Sequence, residues 1–164
     1  MIAIRRAVIK DLAAVTEIYN EAILKTVATF DTNPKTVEDQ KPWFKSHDSK
    51  HPILVAEQDG VVVGWASLTK WSDRCAYSDT AELSIYVKEK HRGKGIGAKL
   101  MKEIINEGKK TGLHTVIARI AGPNEASIRL HESAGFKHIG TMREVGRKFG
   151  ELLDVQLMQK IYES

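Results

Sequence analysis

A short glycine-rich segment past the middle of the chain has the residue types that bind phosphate. It reads Arg92-Gly93-Lys94-Gly95-Ile96-Gly97, between a strand-like stretch and a helix-like stretch. Glycines let backbone N–H groups approach an anion without a clash from a Cβ atom. The helix N-terminus adds unpaired donors and the positive end of a dipole. With the charges of Arg92 and Lys94, the segment predicts a phosphate site rather than a plain turn.

Two other kinds of phosphate loop fit this segment poorly. A Walker loop ends in Gly-Lys followed by Ser or Thr, and that pattern is absent from the sequence. A dinucleotide fold has Gly-x-Gly-x-x-Gly near its first strand and an acidic residue about 20 positions later. Here the third glycine comes one position early, and the later region, residues 115–119, reads Thr-Val-Ile-Ala-Arg.

The elements that flank the loop follow from the spacing of apolar side chains. Residues 80–88 alternate and predict a strand. One face carries Leu83, Ile85 and Val87, and the other carries Glu82, Ser84 and Tyr86. After the loop, apolar residues at helical spacing predict a helix from about residue 96 to residue 110, which Gly112 ends.

The chain before the loop predicts one strand, two helices and a hairpin. Residues 2–6 read as a strand, and Asp11 is expected to cap a helix that runs to about Leu24. Thr36 and Asp39 resemble a capping box for a second helix. Strands over residues 53–57 and 61–68 flank the turn Asp59-Gly60.

The chain after the loop predicts three further strands and one helix. Residues 115–120 form a strand, Pro123-Asn124 opens a helix that ends at Ala134-Gly135, and strands follow at about 136–142 and 152–159. The order β-α-α-β-β-β-α-β-α-β-β predicts an α/β fold with a mixed sheet and flanking helices. With no internal repeat or linker, residues 1–164 are expected to form a single domain.

Composition points to a cytoplasmic protein without a metal. No apolar run approaches the ~20 residues that span a bilayer, and no secretory leader is recognisable at the N-terminus. The lone Cys75 cannot form an internal disulfide, and the histidines show no metal-ligand spacing. The net charge of +4 is spread among acidic residues, so a small anionic ligand is favoured over a nucleic acid.

With these elements in place, the sequence resembles the GNAT family of N-acetyltransferases. The family's pyrophosphate motif, [Q/R]-x-x-G-x-[G/A], is matched by Arg92, Gly95 and Gly97, and its next block by Asn124 through Gly135-Phe136. The resemblance implies the GNAT fold, with a twisted, mostly antiparallel sheet, and acetyl-CoA as co-substrate. It also implies that the strand before the loop splays from its neighbour and offers backbone groups to the pantetheine arm.

The same resemblance assigns residues to the cofactor. It implies that Asn124, which is otherwise an ordinary helix cap, binds the pantetheine amide, and that Ser133 faces the cofactor two turns later. The full predicted set is Ile85, Tyr86, Val87, Arg92, Gly93, Lys94, Gly95, Ile96, Gly97, Ala98, Asn124 and Ser133.

A narrower resemblance is to the phosphinothricin and methionine sulfoximine N-acetyltransferase branch. It rests on Thr80-Ala81-Glu82, on the block from Asn124 to His131, and on Gly146-Arg147-Lys148-Phe149-Gly150 with Asp154. It implies direct acetyl transfer to the α-amine of a small amino acid or analogue. Other acceptors in the family, such as a polyamine, an aminoglycoside or a protein N-terminus, remain open, as does a non-catalytic acetyl-CoA-binding module.

Two side chains are candidates for the proton transfers of amine acetylation. The amine must lose a proton, the oxyanion must be stabilised and the thiolate leaves. Glu82, a few residues before the loop, is the candidate base; alternatively it is a surface carboxylate. His131 replaces the Tyr of many family members and could protonate the thiolate or assist deprotonation, unless it only packs against the sheet. Tyr86 is a weaker alternative acid.

Substrate and partner predictions complete the sequence reading. Arg suits the carboxylate of an amino acid, and Arg74 is the first choice, ahead of Arg143 and Lys148. Phe30, Trp71 and Tyr77 are expected to wall the pocket, although they could equally anchor loops. The apolar stretch Leu152–Gln159 could pair at a dimer edge, so a homodimer is predicted, with no nucleic-acid or membrane partner.

Overall fold

One twisted sheet and four α-helices organise residues 1–163, the part of the chain that the computed structural model describes. The order of elements is the predicted one, so the predicted α/β fold class is confirmed. The elements are β1 Ile2–Arg6, α1 Leu12–Lys25, α2 Val37–Lys45, β2 Ile53–Gln58, β3 Val61–Lys70, β4 Thr80–Val87, α3 Ile96–Lys110, β5 Thr115–Ala121, α4 Glu125–Ser133, β6 Lys137–Lys148 and β7 Glu151–Ile161.

The sheet has seven strands in the order β1-β2-β3-β4-β5-β7-β6. All neighbouring strands run antiparallel except β4 and β5, which run parallel. The predicted mixed, mostly antiparallel sheet is therefore confirmed. Within residues 1–163, no helix is long and apolar enough to cross a membrane.

The parallel pair β4–β5 separates soon after it begins. Only Thr80, Ala81 and Glu82 of β4 pair with β5, opposite residues 115–117. Beyond Glu82, β4 continues to pair with β3 as far as Val87, while β5 continues to pair with β7 as far as Ala121. The sheet consequently opens into a wedge between these two strands.

Apolar side chains cover both faces of the sheet. On one face Leu83 packs with Leu100 and Ile104 of α3, and on the other face Val15 and Ile18 of α1 pack with Trp65. Each fully buried aliphatic side chain of this kind contributes about 1.5–3 kcal/mol of transfer free energy. The alternation of β4 is what allows one strand to serve both cores.

Two short-range signals had different outcomes. The capping box is confirmed, because Asp39 N donates to Thr36 Oγ1 over 3.0 Å and Thr36 N donates to Asp39 Oδ2 over 2.9 Å. The predicted Asp11 side-chain cap of α1 is wrong. Its carboxylate instead accepts hydrogen bonds from Val8 N at 2.8 Å and from the Arg5 guanidinium at 2.7 and 3.0 Å.

The last two strands are longer than predicted. β6 runs to Lys148 and β7 starts at Glu151, joined by the turn Phe149-Gly150 with φ of 51° and 77°. Because β7 lies between β5 and β6, the prediction that its edge supports a dimer is wrong. The edge strand at this side of the sheet is β6.

Candidate functional site

The wedge between β4 and β5 opens into a cavity of about 820 Å³. Its walls come from the loop after α1, from β4, from the glycine-rich loop and the start of α3, from β5, from α4 and from β6 and β7. The predicted site residues that line it are Phe30, Glu82, Ile85, Tyr86, Val87, Arg92, Gly93, Ile96, Gly97, Asn124 and His131.

The glycine-rich loop presents a row of free backbone donors. No N–H group from Gly93 to Ala98 has a hydrogen-bond partner within residues 1–163, and the first helical bond of α3 is from Lys99 N to Gly95 O at 3.1 Å. Gly93 and Gly95 have φ of 76° and 82°, a conformation that side-chain-bearing residues rarely adopt. The loop therefore has the geometry of an anion site at a helix N-terminus.

The charged residues of this loop have different positions. Arg92 lines the cavity and its Nε donates to Val87 O over 3.1 Å. Lys94, Gly95 and Ala98 do not line the cavity, and the side chain of Lys94 is exposed to solvent. Arg92 is thus tied to the end of β4, while Lys94 is free to approach a ligand from the outside.

The pantetheine residues implied by the resemblance fall into two groups. Ile85, Tyr86 and Val87 lie beyond the last β4–β5 pair and border the cavity. Asn124 Oδ1 accepts from Ser127 N at 3.1 Å, so Asn124 is an N-cap whose Nδ2 has no partner in the described chain.

The structure does not bring Ser133 to the cavity. Its hydroxyl donates to Leu130 O over 2.6 Å, and its side chain is exposed at the end of α4 and does not line the cavity. Ser127 is the hydroxyl-bearing residue of α4 that does line the cavity.

Glu82 lines the cavity, and both of its oxygens are bound by one arginine. Arg119 Nε donates to Glu82 Oε2 over 2.5 Å, and Arg119 Nη2 donates to Glu82 Oε1 over 2.8 Å. The hydrogen bonds to Glu82 raise the pKa of Arg119. The ion pair is therefore bidentate, the geometry in which a guanidinium binds a carboxylate most strongly.

His131 is buried at the inner wall of the same cavity. Its Nδ1 lies 2.7 Å from Ser127 O, and its ring contacts Phe136 edge-on with the ring centres 5.2 Å apart. Since a carbonyl only accepts, Nδ1 carries the proton in this bond. Burial lowers the pKa of His131, which favours a neutral ring with an unprotonated Nε2.

Tyr86, the weaker acid candidate, belongs to an aromatic cluster. Its ring packs on Tyr19 and Trp65 with centre distances of 5.3 and 5.0 Å, and its hydroxyl donates to Ala28 O at 3.5 Å. Burial raises the pKa of Tyr86 to about 12. Tyr86 therefore borders the cavity while its ring packs on Tyr19 of α1 and Trp65 of β3.

The four predicted substrate residues are not brought together. Phe30 lines the cavity, but Trp71, Arg74 and Tyr77 do not. Trp71 instead contacts Arg119, whose guanidinium lies 5.7 Å from the Trp71 ring centre. Arg74 and Tyr77 lie in the exposed β3–β4 connection, so the structure gives them no contact with this site.

Neither of the weaker arginine and lysine candidates reaches the cavity. Arg143 is exposed on β6 and does not line it. Lys148 is 5% exposed, and its Nζ donates to Thr29 O over 2.8 Å. Burial lowers the pKa of Lys148. This lysine therefore ties the β6–β7 hairpin to the loop that carries Phe30.

The cavity also contains one important residue that the sequence reasoning missed. Arg119 borders it, opposite Glu82, and only the parallel pairing of β4 with β5 brings these residues together. The signal in the sequence was a charged residue inside an apolar strand, Thr115-Val116-Ile117-Ala118-Arg119-Ile120. Within residues 1–163, no group of three or more His, Cys, Asp and Glu side chains is arranged to hold a metal ion.

Together these features define a class of enzyme. A split sheet beside a helix start with the geometry of an anion site suits a long ligand with a pyrophosphate, and a carboxylate and a neutral histidine at the same cavity suit proton removal from an amine. This combination is that of an acyltransferase that uses a coenzyme A thioester.

Comparison with known proteins supports the same class. Residues 13–136 match the model of the acetyltransferase (GNAT) family. The chain is 41% identical to the L-methionine sulfoximine/L-methionine sulfone acetyltransferase of Salmonella typhimurium, over 91% of this chain and 88% of the relative. It is 40% identical to an L-amino acid N-acyltransferase of Escherichia coli, over 96% and 92% respectively.

A solved structure agrees over the whole fold. The phosphinothricin acetyltransferase of Sinorhizobium meliloti in complex with acetyl-CoA superimposes with a TM-score of 0.94 at 36% identity, covering 98% of this chain and 88% of that one. The chain belongs to the acetyltransferase (GNAT) family and is an acetyl-CoA-dependent N-acetyltransferase. The predicted family, enzyme class and co-substrate are confirmed.

Proposed function

We propose that the chain, as a single catalytic domain, acetylates the α-amine of a small amino acid or analogue. Phosphinothricin, methionine sulfoximine and methionine sulfone represent the acceptor type, and transfer from acetyl-CoA is direct. The observation that carries the proposal is that Glu82 and His131 border one cavity together with the loop donors and the unpaired end of β4. The names of the relatives support the acceptor class.

The residues present fit acetyl-CoA. The free N–H groups from Gly93 to Ala98 suit its pyrophosphate, and the unpaired edge of β4 suits the amides of its pantetheine arm. Asn124 lines the same cavity, and its Nδ2 is an unused donor within residues 1–163. When bound, acetyl-CoA supplies the acetyl thioester. The chain's contribution is to hold this group against the acceptor, since positioning accounts for much of the rate of a direct transfer.

Glu82 and His131 divide the proton handling. Glu82 takes the proton of the acceptor ammonium, directly or through a water. His131 donates Nδ1–H to Ser127 O and presents Nε2 as an acceptor, so it assists deprotonation rather than protonating the thiolate. The lowered pKa of His131 fits this assignment, because an acid would need the charged ring.

The acceptor end of the cavity has an apolar wall. Phe30 stands there with Met142, Val145 and Val155. Such a wall suits the methylene side chain of methionine and phosphinothricin analogues better than it suits a polyamine or an aminoglycoside, whose several cations require carboxylates.

The test is thiol release from acetyl-CoA with a panel of acceptors: L-methionine sulfoximine, L-phosphinothricin, L-methionine sulfone, spermidine and kanamycin. Turnover with the first three alone is the expected result. Turnover only with the polycations would overturn the proposal. Acetyl-CoA binding without turnover of any acceptor would instead favour a protein acceptor or a non-catalytic module.

The homodimer also remains a proposal, on a different surface from the one predicted. Val145, Phe149 and Leu152 of the β6–β7 hairpin are 50%, 61% and 48% exposed, and β6 is an edge strand. A second copy that covers this tip would bury these side chains. Light scattering at micromolar concentration tests this: we expect the dimer mass, which Phe149→Ser should reduce, and a monomer for the unaltered chain would rule it out.

A cytoplasmic location without nucleic-acid or membrane partners completes the proposal. Its support is the single exposed Cys75 and the interleaving of basic and acidic residues. DNA binding that weakens steeply with salt would contradict it.

A further inference from the structure

The ion pair between Glu82 and Arg119 leaves the proposed base occupied. Both carboxylate oxygens accept from the same guanidinium, at 2.5 and 2.8 Å. An acceptor ammonium that needs Glu82 must therefore compete with a cation that is already bound there. Some feature of the correct acceptor has to offset the loss of this pair.

Arg119 is held in the cavity but is not locked there. Its side chain is 52% exposed, and Trp71 supports the guanidinium from 5.7 Å. Glu82 is the one carboxylate within residues 1–163 that forms an ion pair with it, and Nη1 makes no hydrogen bond in that range. The long side chain can thus move away from Glu82 while it stays on the Trp71 ring.

An α-amino acid carries a carboxylate and an ammonium, and each can replace one member of the ion pair between Arg119 and Glu82. Its carboxylate presents two oxygens that match the guanidinium, as those of Glu82 do, and its ammonium can take the place of Arg119 at Glu82. A plain amine offers only the second exchange, and it would leave two cations beside one carboxylate. The pair thereby favours acceptors with an α-carboxylate.

We propose that Arg119 is the binding site for the acceptor carboxylate, and that an α-amino acid enters by separating Arg119 from Glu82, which frees Glu82 for the amine. This inference rests on the proposed acetylation of α-amino acids. It gives to Arg119 the role that the sequence predicted for Arg74, and it makes release of the base depend on the substrate.

The experiment compares two acceptors that differ only in the carboxylate: L-methionine sulfone and 3-(methylsulfonyl)propan-1-amine. The kcat/KM of each is measured with the unaltered enzyme, with Arg119→Gln and with Arg74→Gln. Arg147→Gln, on the exposed part of β6, is the matched control. Binding of L-methionine sulfone in the presence of CoA is followed by calorimetry, a readout that does not need turnover.

The expected result is selective. Arg119→Gln lowers kcat/KM for L-methionine sulfone by about 10- to 100-fold, the range for a lost hydrogen bond to a charged group. It weakens L-methionine sulfone binding by a similar factor, and it leaves the amine unchanged or faster. Equal losses for both acceptors would overturn the inference and make Arg119 only a support for Glu82.

Two other outcomes are also decisive. If Arg74→Gln rather than Arg119→Gln abolishes the preference for L-methionine sulfone, the carboxylate site is at Arg74 and the inference is wrong. If the unaltered enzyme acetylates no α-amino acid at all, the proposed function itself fails. The two kinds of failure are thus separated by the behaviour of the unaltered enzyme.

Discussion

At the scale of single residues, one hydrogen bond and one aromatic contact hold the His131 ring in place. Ser127 O accepts a hydrogen bond from Nδ1–H and Phe136 packs against the ring, so Nε2 is left as the nitrogen that can accept. Burial lowers the pKa of His131 below the usual value of about 6.5. The same burial that favours the neutral ring therefore makes the fold sensitive to acid.

The pH dependence of stability tests this directly. Because the folded-state pKa is depressed, the unfolded chain binds the extra proton first as the pH falls. The contribution of His131 is complete above a pH of about 6.5 and is lost as the pH decreases toward the folded pKa. We expect His131→Gln to flatten the fall in Tm between about pH 7.5 and pH 5.

Two other histidines, His47 and His138, matter for the interpretation of the Tm measurement. Burial also lowers the pKa of His47, so some acid sensitivity should persist in the His131 variant. His138→Gln, at an exposed position of β6, is the control. A slope for His131→Gln that equals that of the unaltered protein would refute the protonation state assigned here.

The sequence predicted some residues of the site and missed others. Glu82 was placed by strand alternation and His131 by its position in a helix after Asn124, both short-range features. Arg119 was missed because its importance arises from pairing across 37 positions of the chain. Arg74 was chosen for its nearness in sequence to the β4 strand, but a loop residue has no register that fixes its direction.

At the scale of elements, the loop before α3 depends on left-handed glycines. Gly95 and Gly60 are a matched pair, with φ of 82° and 80° and open space where a Cβ would stand. Alanine at either position costs about 1–2 kcal/mol of stability from backbone strain. Gly95, unlike Gly60, lies within the row of N–H groups from Gly93 to Ala98 that have no hydrogen-bond partner within residues 1–163.

We therefore expect Gly95→Ala to weaken acetyl-CoA binding by about tenfold or more, since it affects several charge-assisted hydrogen bonds. Gly60→Ala should bind acetyl-CoA as the unaltered protein does, with a similar loss of Tm. Titration calorimetry and thermal unfolding measure the two effects. Equal acetyl-CoA affinity in both variants would show that the loop is not the pyrophosphate site.

A second element-scale prediction concerns Gly146 of β6. A Cβ built there would lie 2.3 Å from a ring carbon of Phe30, although the backbone of Gly146 needs no positive φ. This glycine therefore makes room for Phe30, while Lys148 holds the Phe30 loop through Thr29 O. Phe30 in turn lines the cavity, where the proposed function places the acceptor.

Gly146→Ala should displace Phe30 and cost about 1–3 kcal/mol, as overpacking does. The KM for L-methionine sulfone should rise several-fold while acetyl-CoA affinity is kept. Gly140→Ala, on the same strand with open space at its Cβ, is the control. Restoration of stability by Phe30→Ala in the Gly146→Ala background would confirm the contact, whereas additive losses would contradict it.

Most elements could be predicted because their signals are local. The helix α3 was found at its observed limits of residues 96 and 110, and the hairpin around Asp59-Gly60 was found from its turn. The sequence did not predict the full lengths of β6 and β7. Their hairpin turn has Phe149 at positive φ, an unfavourable residue for that conformation, and β6 has irregular register that interrupts its alternation.

At the scale of the whole molecule, the proposed function depends on a sheet whose strands are paired on both sides of the gap between β4 and β5. The cores on its two faces hold β4 to β3 and β5 to β7, so the wedge between β4 and β5 is maintained. The order of elements in the sequence predicts the layers. The strand neighbours depend on long-range pairing that residue spacing does not reveal, and the separation of β4 from its neighbour was expected from the family resemblance alone.

Under the proposed function, the wedge between β4 and β5 is the place where acetyl-CoA and the acceptor meet. The cavity is lined by the glycine-rich loop and the start of α3, by Glu82 and Arg119, and by β6 and the Phe30 loop. A net charge of +4 favours the approach of anionic acetyl-CoA. We therefore expect the proposed base, Glu82, and the acetyl thioester to meet inside the wedge.

The most direct measurement of this claim is thiol release from acetyl-CoA with L-methionine sulfone, with the N-acetyl product quantified by mass spectrometry. We predict one product per thiol for the unaltered enzyme. Glu82→Gln should lower kcat/KM by about 10²- to 10⁴-fold with acetyl-CoA affinity unchanged, while Glu103→Gln on the exposed side of α3 has no effect. Full activity of Glu82→Gln would contradict the account.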